Sequence, residues 1–342
     1  MPRFRIAAIP GDGIGGEVLG AGLRVLERVA ELEVTRFPWG SDYYLEHGRM
    51  LAPDALEQLQ RFDAIYFGAV GSREVPDHVT LWGLRLKICQ GFDQWANVRP
   101  VRFYEGLNRD PTLDWVVVRE NSEGEYAGLG GRQLAARGPG NEVAIQTSLF
   151  TERGCERIVR FAFELAQSRP RRHVTSITKS NAQQYAMVLW DEVFERVSAD
   201  YPDVTTDKEL VDAAAARFVL RPQTLDVVVA SNLHGDILSD LGSALAGSLG
   251  LAASANLNPD RRFPSMFEPV HGSAPDIAGQ GIANPLGAIG SGAMLLDHVG
   301  RPDLGDRIRR AIAATIRDGV RTRDLGGAYS TAEVTVAVIA RL

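Results

Sequence analysis

The stretch SNLHGDILSD sets Asp236 and Asp240 four residues apart. In a helix that spacing puts both carboxylates on one face, about one turn apart, within reach of a single cation. Acids in the first turns of a helix also simply favour its macrodipole, so the pair alone allows both readings. Asp212 lies upstream in KELVDAAAARFVL, read as an otherwise apolar helix where an unpaired carboxylate is costly. A third ligand to a hard divalent ion, or an arginine ion pair, would each account for it. Arg99 in ANVRPVR, Arg119 in VVVREN and Lys179 in SITKSN fall at the ends of apolar runs. Arginine suits fixed, bidentate carboxylate binding, whereas lysine can change protonation during a reaction. Of 37 cationic residues only Lys87, Lys179 and Lys208 are lysines, which singles out Lys179 as a proton-transfer candidate. Tyr126, seven residues after Arg119, reads as a packing residue or an acid.

These residues need elements to hold them. FRIAAIP, FDAIYFGAV, DWVVVREN, HVTSITKSN and LDVVVASN are β-branched or apolar runs, and amphipathic helical stretches begin after Ile14, Thr151 and Gln183. Strands alternating with helices predict an α/β fold. Several of the runs pass directly into polar residues, and open α/β sheets place ligands at such strand ends. Leu81, Leu84, Ile88, Phe92 and Trp95 form a helical stripe, and the glycine-rich region Gly124–Gly140 reads as an exposed arm. No linker separates domains, which suggests a chain that crosses between them more than once.

IPGDGIGGEV, with Gly11, Gly13 and Gly16, has the spacing of a dinucleotide fingerprint. A Rossmann site also requires an acid about twenty residues on, at the end of the next strand. VTRFPWG ends without one, and Asp12 would set a carboxylate near a pyrophosphate. A structural turn that still touches a cofactor is the favoured reading.

The 342 residues suffice for two domains, and 45% hydrophobic with 23% charged residues is ordinary for a soluble enzyme. A net charge of -6 offers no nucleic-acid footprint. Two cysteines, Cys89 and Cys155, argue against a disulfide framework and for a reducing cytoplasm. No apolar run is long enough for a membrane span.

Taken together, IPGDGIGGEV, ANVRPVR, VVVRENSEGEY, TKSN, VVVASNLHGDILSDL and FEPVHGSAPDIAGQGIANP resemble the metal-dependent β-decarboxylating dehydrogenases, the isocitrate/isopropylmalate dehydrogenase family. The resemblance spans essentially the whole chain and is nearest to the tartrate/D-malate branch. It implies a two-domain isopropylmalate-dehydrogenase-like α/β fold with a shared mixed sheet, not a standard Rossmann fold. One domain would comprise residues 1–98 and 250–342, and the other, for dimerisation and metal and substrate binding, residues 99–249. A homodimer with shared active sites is implied. Asp236 and Asp240 would bind Mg²⁺ or Mn²⁺, with Asp212 reaching in from the partner. Arg99 and Arg119 would grip substrate carboxylates, Tyr126 and Lys179, the latter from the partner chain, would handle protons with Asp212 near Lys179, and Asn181 would lie near nicotinamide and substrate. Glu268, His271, Gly272, Ser273, Ala274, Asp276, Ile277 and Asn284 would form the cofactor site, and Gly71–Leu84 would flank the nicotinamide half. Asp276 followed by Ile277 points to NAD, because a carboxylate accepts from ribose hydroxyls and repels a 2′-phosphate.

The chain departs from that pattern in two places. The family carries an arginine ten residues before the one matching Arg99; here that position is Cys89. Arg85, one helical turn earlier, is the candidate replacement for substrate binding. His234 stands where aromatic or aliphatic residues often sit. Trp82, Arg85 and Leu86 suit a branched apolar substrate poorly, and the serine and asparagine of isocitrate-type members are absent between Val79 and Cys89. The reading is therefore NAD- and metal-dependent oxidative decarboxylation of a 2-hydroxy dicarboxylate, D-malate or tartrate. The alternatives are another 3-substituted malate, or a non-catalytic relative that binds dicarboxylate or nucleotide.

Overall fold

The computed structural model describes residues 3–108 and 112–342. In chain order its strands are β1 (Phe4–Gly11), β2 (Leu32–Arg36), β3 (Ala64–Ala69), β4 (Ala96–Arg102), β5 (Asp114–Glu120), β6 (Gly124–Gln133), β7 (Val143–Leu149), β8 (His173–Thr178), β9 (Thr205–Leu210), β10 (Val227–Ala230), β11 (Ala253–Leu257) and β12 (Ser265–Pro269). The chain separates into one unit of residues 1–114 and 240–342 and a second of residues 115–239. Both chain ends thus build the first unit. The crossings between these units fall within β5 and within the helix Asn232–Ala246.

In the first unit the strand order is β2-β1-β3-β12-β11-β4. β1, β2, β3 and β12 pair in parallel, and β11 runs antiparallel to both its neighbours. Every residue of β3 is buried, as the near-continuous apolar run of a strand covered on both faces requires. On one face Ile6, Leu26, Leu296, Ile308 and Val334 join the terminal helices into a core. On the other, Ile9, Phe37, Trp39, Phe67, Ile88 and Phe92 pack together. The stripe from Leu81 is helical in two pieces, a π-helical turn Leu81–Arg85 and the helix Leu86–Gly91, which Phe92 caps, and a short helix Asp77–Thr80 precedes them. Trp95 lies beyond the last of them. π turns put an extra residue into the helix and are common at functional sites.

In the second unit β5, β10, β8 and β9 are adjacent and parallel. The helix Glu152–Gln167 is capped by Thr151, whose hydroxyl accepts from the Gly154 amide at 2.9 Å. β6 and β7 pair as a separate antiparallel ribbon, with Leu129, Val143, Ile145 and Leu149 exposed. That ribbon contains the expected arm. Among the described residues no helix is long and apolar enough to cross a membrane.

Candidate active site

In the second unit Arg119 ends β5 almost completely buried, at 2% exposure. Its Nε and Nη2 donate to Asn232 Oδ1 at 3.0 and 2.6 Å, and its Nη1 donates to Asp236 Oδ1 at 2.5 Å. The guanidinium lies 5.3 Å from the ring centroid of Tyr126, whose hydroxyl donates to Asp236 Oδ2 at 3.3 Å. Gly235 makes this closeness possible: a Cβ there would stand 2.8 Å from Arg119 Cβ. The N-terminus of the helix Asn232–Ala246 is held by Glu125, which accepts from the Leu233 amide and the Ser231 hydroxyl. Asn232 is secured in turn by the Glu123 carbonyl at 3.1 Å. An arginine, a tyrosine and a carboxylate therefore converge at one strand end, equipped to bind a carboxylate and a cation and to move a proton.

Lys179, just past β8, is ion-paired to Asp212. Hydrogen bonding from Lys179 holds the Asp212 carboxyl below the usual carboxylate range. Asp212 is not inside an apolar helix as the sequence suggested. KEL closes β9, the helix starts at Val211, and the Asp212 side chain is 66% exposed in its first turn. The costly burial that motivated a metal role is absent, and the acid is open to solvent. Asn181 is exposed in the following turn. His234 is buried, with no hydrogen-bond partner at Nδ1 among the described residues; burial lowers its pKa, Glu125 opposes this, and Lys179 adds to it.

Asp236 and Asp240 share a face of their helix, and Asp240 lies 3.6 Å from Arg99 Nη1. Among the described residues no three histidines, cysteines or carboxylates gather at metal-ligating distance.

In the first unit Arg99 on β4 is buried, its Nε donating to Asn97 Oδ1 at 2.7 Å. Arg85 is no surface cation: its Nε donates to buried Glu268 at 2.7 Å and its Nη2 to Asn256 Oδ1 at 3.1 Å. Cys89 packs in the apolar cluster with Ile88 and Phe92. The Glu268 carboxylate is thus occupied by Arg85 and Asn256.

The segment after β12 carries the other cofactor candidates. Ile14, Ser248, Gly250, His271, Ala274, Ile277, Ile282, Asn284, Arg323 and Asp324 line a mainly apolar cavity of about 380 Å³. Gly272, Ser273 and Ala274 line a second of about 700 Å³ with residues 70–77. His271 Nδ1 lies 3.0 Å from the Gly272 carbonyl while Nε2 has no partner among the described residues, and burial holds its pKa below the usual histidine range. Asn284 is fixed by Asp324, which also accepts from Ser248 and Thr322. Asp276 is exposed and ion-paired to Arg73.

The glycine loop lies against this segment as a turn. The Ile14 amide donates to the Ser273 carbonyl at 2.8 Å, and a Cβ at Gly13, whose φ is +55°, would strike that same carbonyl. Asp12 accepts from the Ser41 amide and hydroxyl and the Gly71 amide at 2.6–2.8 Å. Its carboxylate ties loops together.

Asn97, Asn232, Asn256, Glu125 and Asp324 were missed by sequence reasoning. Asn97 had a signal, since two residues along a strand from Arg99 means the same face. Asp324 had none, being brought to the cavity only by the tertiary fold.

A model of the isocitrate/isopropylmalate dehydrogenase family matches residues 5–338. The tartrate dehydrogenase/decarboxylase of Pseudomonas putida is 53% identical over 98% of this chain and 96% of its own length. The decarboxylating D-malate dehydrogenase of Escherichia coli is 52% identical over 99% and 98%. Among solved structures, isocitrate dehydrogenase from Methylococcus capsulatus superposes with a TM-score of 0.92 at 36% identity, covering 99% of each chain.

Proposed function

This chain belongs to the isocitrate/isopropylmalate dehydrogenase family, and from that membership we propose NAD- and divalent-metal-dependent oxidative decarboxylation of a small 2-hydroxy dicarboxylate, D-malate or tartrate. The coarser activity, oxidative decarboxylation of a hydroxy acid, follows from the family and from relatives that share more than half their residues with it. The observation that carries the finer reading is the convergence of Arg119, Tyr126 and Asp236 at one strand end.

The residues present fit both groups that the reading requires. A pair of carboxylates one helical turn apart is an all-oxygen donor set suited to Mg²⁺ or Mn²⁺, which complete their shells with water and substrate oxygens. The unpartnered His271 Nε2, set among Ile14, Ala274 and Ile277, fits a flat, hydrogen-bonding adenine ring. Bound there, the dinucleotide would supply a hydride acceptor and the metal would supply Lewis acidity toward the substrate oxygens.

The chain's own side chains do the rest. Arg99 and Arg119 hold substrate carboxylates and orient the hydroxyl-bearing carbon. Lys179, supplied by the partner, receives the hydroxyl proton as the neutral amine, and Asp212 pairs with the ammonium that results. Once CO₂ has left, Tyr126 supplies the proton that closes the vacated carbon. The exposed Ile145 and Leu149 of the ribbon, with Leu233 and Ile237 of the aspartate helix, form apolar surface suited to a second copy of the chain. Both cysteines are buried, in keeping with a reducing cytoplasm.

The test is NADH formation with Mn²⁺ across D-malate, the tartrate isomers, isopropylmalate and isocitrate. Turnover greatest on D-malate or a tartrate is the expected result. A preference for isocitrate or isopropylmalate would overturn the substrate assignment, and tight diacid binding with no turnover would make the chain a binder.

A further inference from the structure

Arg85, Asn97, Arg99, Asn256 and Glu268 are all buried, each at 8% exposure or less. Sheet geometry brings four of them together. Asn97 on β4 sits opposite Asn256 on β11, Glu268 on β12 lies diagonal to Asn256, and Arg99 is two residues along from Asn97 on the same face. Arg85 enters from the π turn.

Their hydrogen bonds run in one direction. Glu268 Oε1 accepts from Arg85 Nε and from Asn256 Nδ2, both at 2.7 Å. Asn256 Oδ1 accepts from Arg85 Nη2 at 3.1 Å and from Asn97 Nδ2 at 2.9 Å. Asn97 Oδ1 then accepts from Arg99 Nε at 2.7 Å. An amide offers donors on one side and an acceptor on the other. Reversing Asn256 would set its NH₂ against the guanidinium of Arg85 and the NH₂ of Asn97. Asn97 would then have to turn as well, which would set its NH₂ against Arg99 Nε. The sense of the Asn256 amide is fixed by Arg85 and Glu268, and that of Asn97 by Asn256 together with Ser254 Oγ at 2.8 Å and the Ala255 carbonyl at 3.3 Å, to which Asn97 Nδ2 also donates.

We propose that Arg85 is a positioning residue for substrate-carboxylate binding, setting the Arg99 guanidinium through Asn256 and Asn97 rather than gripping the substrate itself. The inference rests on the reading that Arg99 holds a substrate carboxylate. Arg85 therefore does not restore the guanidinium missing at Cys89. It stiffens an arginine that remains, and the diacid pocket operates with one fewer cation.

The experiment uses the full-length protein with Mn²⁺. Diacid affinity is measured by calorimetry for wild type, Arg85→Met, Asn97→Ala and the double variant, with Arg85→Lys retaining the charge beside Glu268 should Arg85→Met fail to fold. Each single change should weaken D-malate binding about 10- to 100-fold, as loss of an orienting partner does, with the double no worse than the weaker single. Arg85→Lys, which keeps the charge, should fall between wild type and Arg85→Met. Multiplying defects would mean that Arg85 grips the substrate directly, and unchanged affinity in a folded variant would mean a structural role; either overturns the proposal. A second readout needs no substrate. The Arg99 Nε–H signal, assigned by its loss in Arg99→Lys, should exchange slowly with solvent in wild type and fast in Arg85→Met or Arg85→Lys. Equal protection in all of them would refute the relay even if D-malate binds none of them, which would count separately against the proposed function.

Discussion

Gly235→Ala puts one methyl group between the aspartate helix and β5. The added Cβ would lie 2.8 Å from Arg119 Cβ, 2.9 Å from its Cγ and 3.3 Å from its Cα. Separations below about 3 Å are not tolerated between carbon atoms, so helix and strand must part or the Arg119 side chain must swing. Overpacking of this kind costs about 1–3 kcal/mol of stability, and an off-rotamer χ about 0.5–1.5 kcal/mol. A few tenths of an ångström at Cβ grow along the side chain to about 1 Å at the guanidinium, and such misplacement lowers a rate about 100-fold. The assay pairs thermal unfolding with kcat/KM on the preferred hydroxy diacid. Gly20→Ala is the control, because a Cβ there meets nothing within 4 Å in the helix Gly15–Leu26 and should stabilise slightly. Gly235→Ala with wild-type Tm and kcat/KM would refute the claim that Arg119 is held by close packing against this helix.

Asp324→Ala releases Asn284, Ser248 and Thr322 at the cavity rim. NADH affinity followed by protein fluorescence should fall about 10- to 100-fold, and an unchanged Kd would place the adenosine half elsewhere. The Asp207 carboxyl is opposed by burial, but hydrogen bonds from His173, Thr175 and Arg217 outweigh this and hold it far below its ordinary value. A depressed acid contributes stability above its unfolded pKa and loses it as pH falls through the folded one, here below about pH 4. Arg217→Met should therefore raise the pH at which Tm collapses in acid; an unshifted acid limb would show that Arg217 does not stabilise the charged form.

The placement of the candidate residues was legible where it depended on local spacing. Asp236 and Asp240 at four residues, Arg119 at a strand end and Lys179 beyond β8 all stand where periodicity put them. Asp212 misled because KELVDAAAARFVL looks continuously helical, whereas β9 ends at Leu210 and leaves the acid in an exposed first turn. Arg85 misled differently. Its spacing from Cys89 implied a shared helical face, but the π turn and the buried Glu268 draw the guanidinium into the sheet's polar chain while Cys89 joins an apolar cluster. Asp324 and Asn256 could not be read at all, since their partners lie far along the chain and only strand pairing and loop docking bring them in. The glycine loop was legible as a turn but not in its anchoring, which depends on Ser273 more than 250 residues away.

The most direct test of the account is the stoichiometry of products from D-malate with NAD⁺ and Mn²⁺. The account predicts NADH and CO₂ in a one-to-one ratio, both abolished together in Asp236→Asn. NADH without CO₂, or CO₂ without NADH, would contradict it.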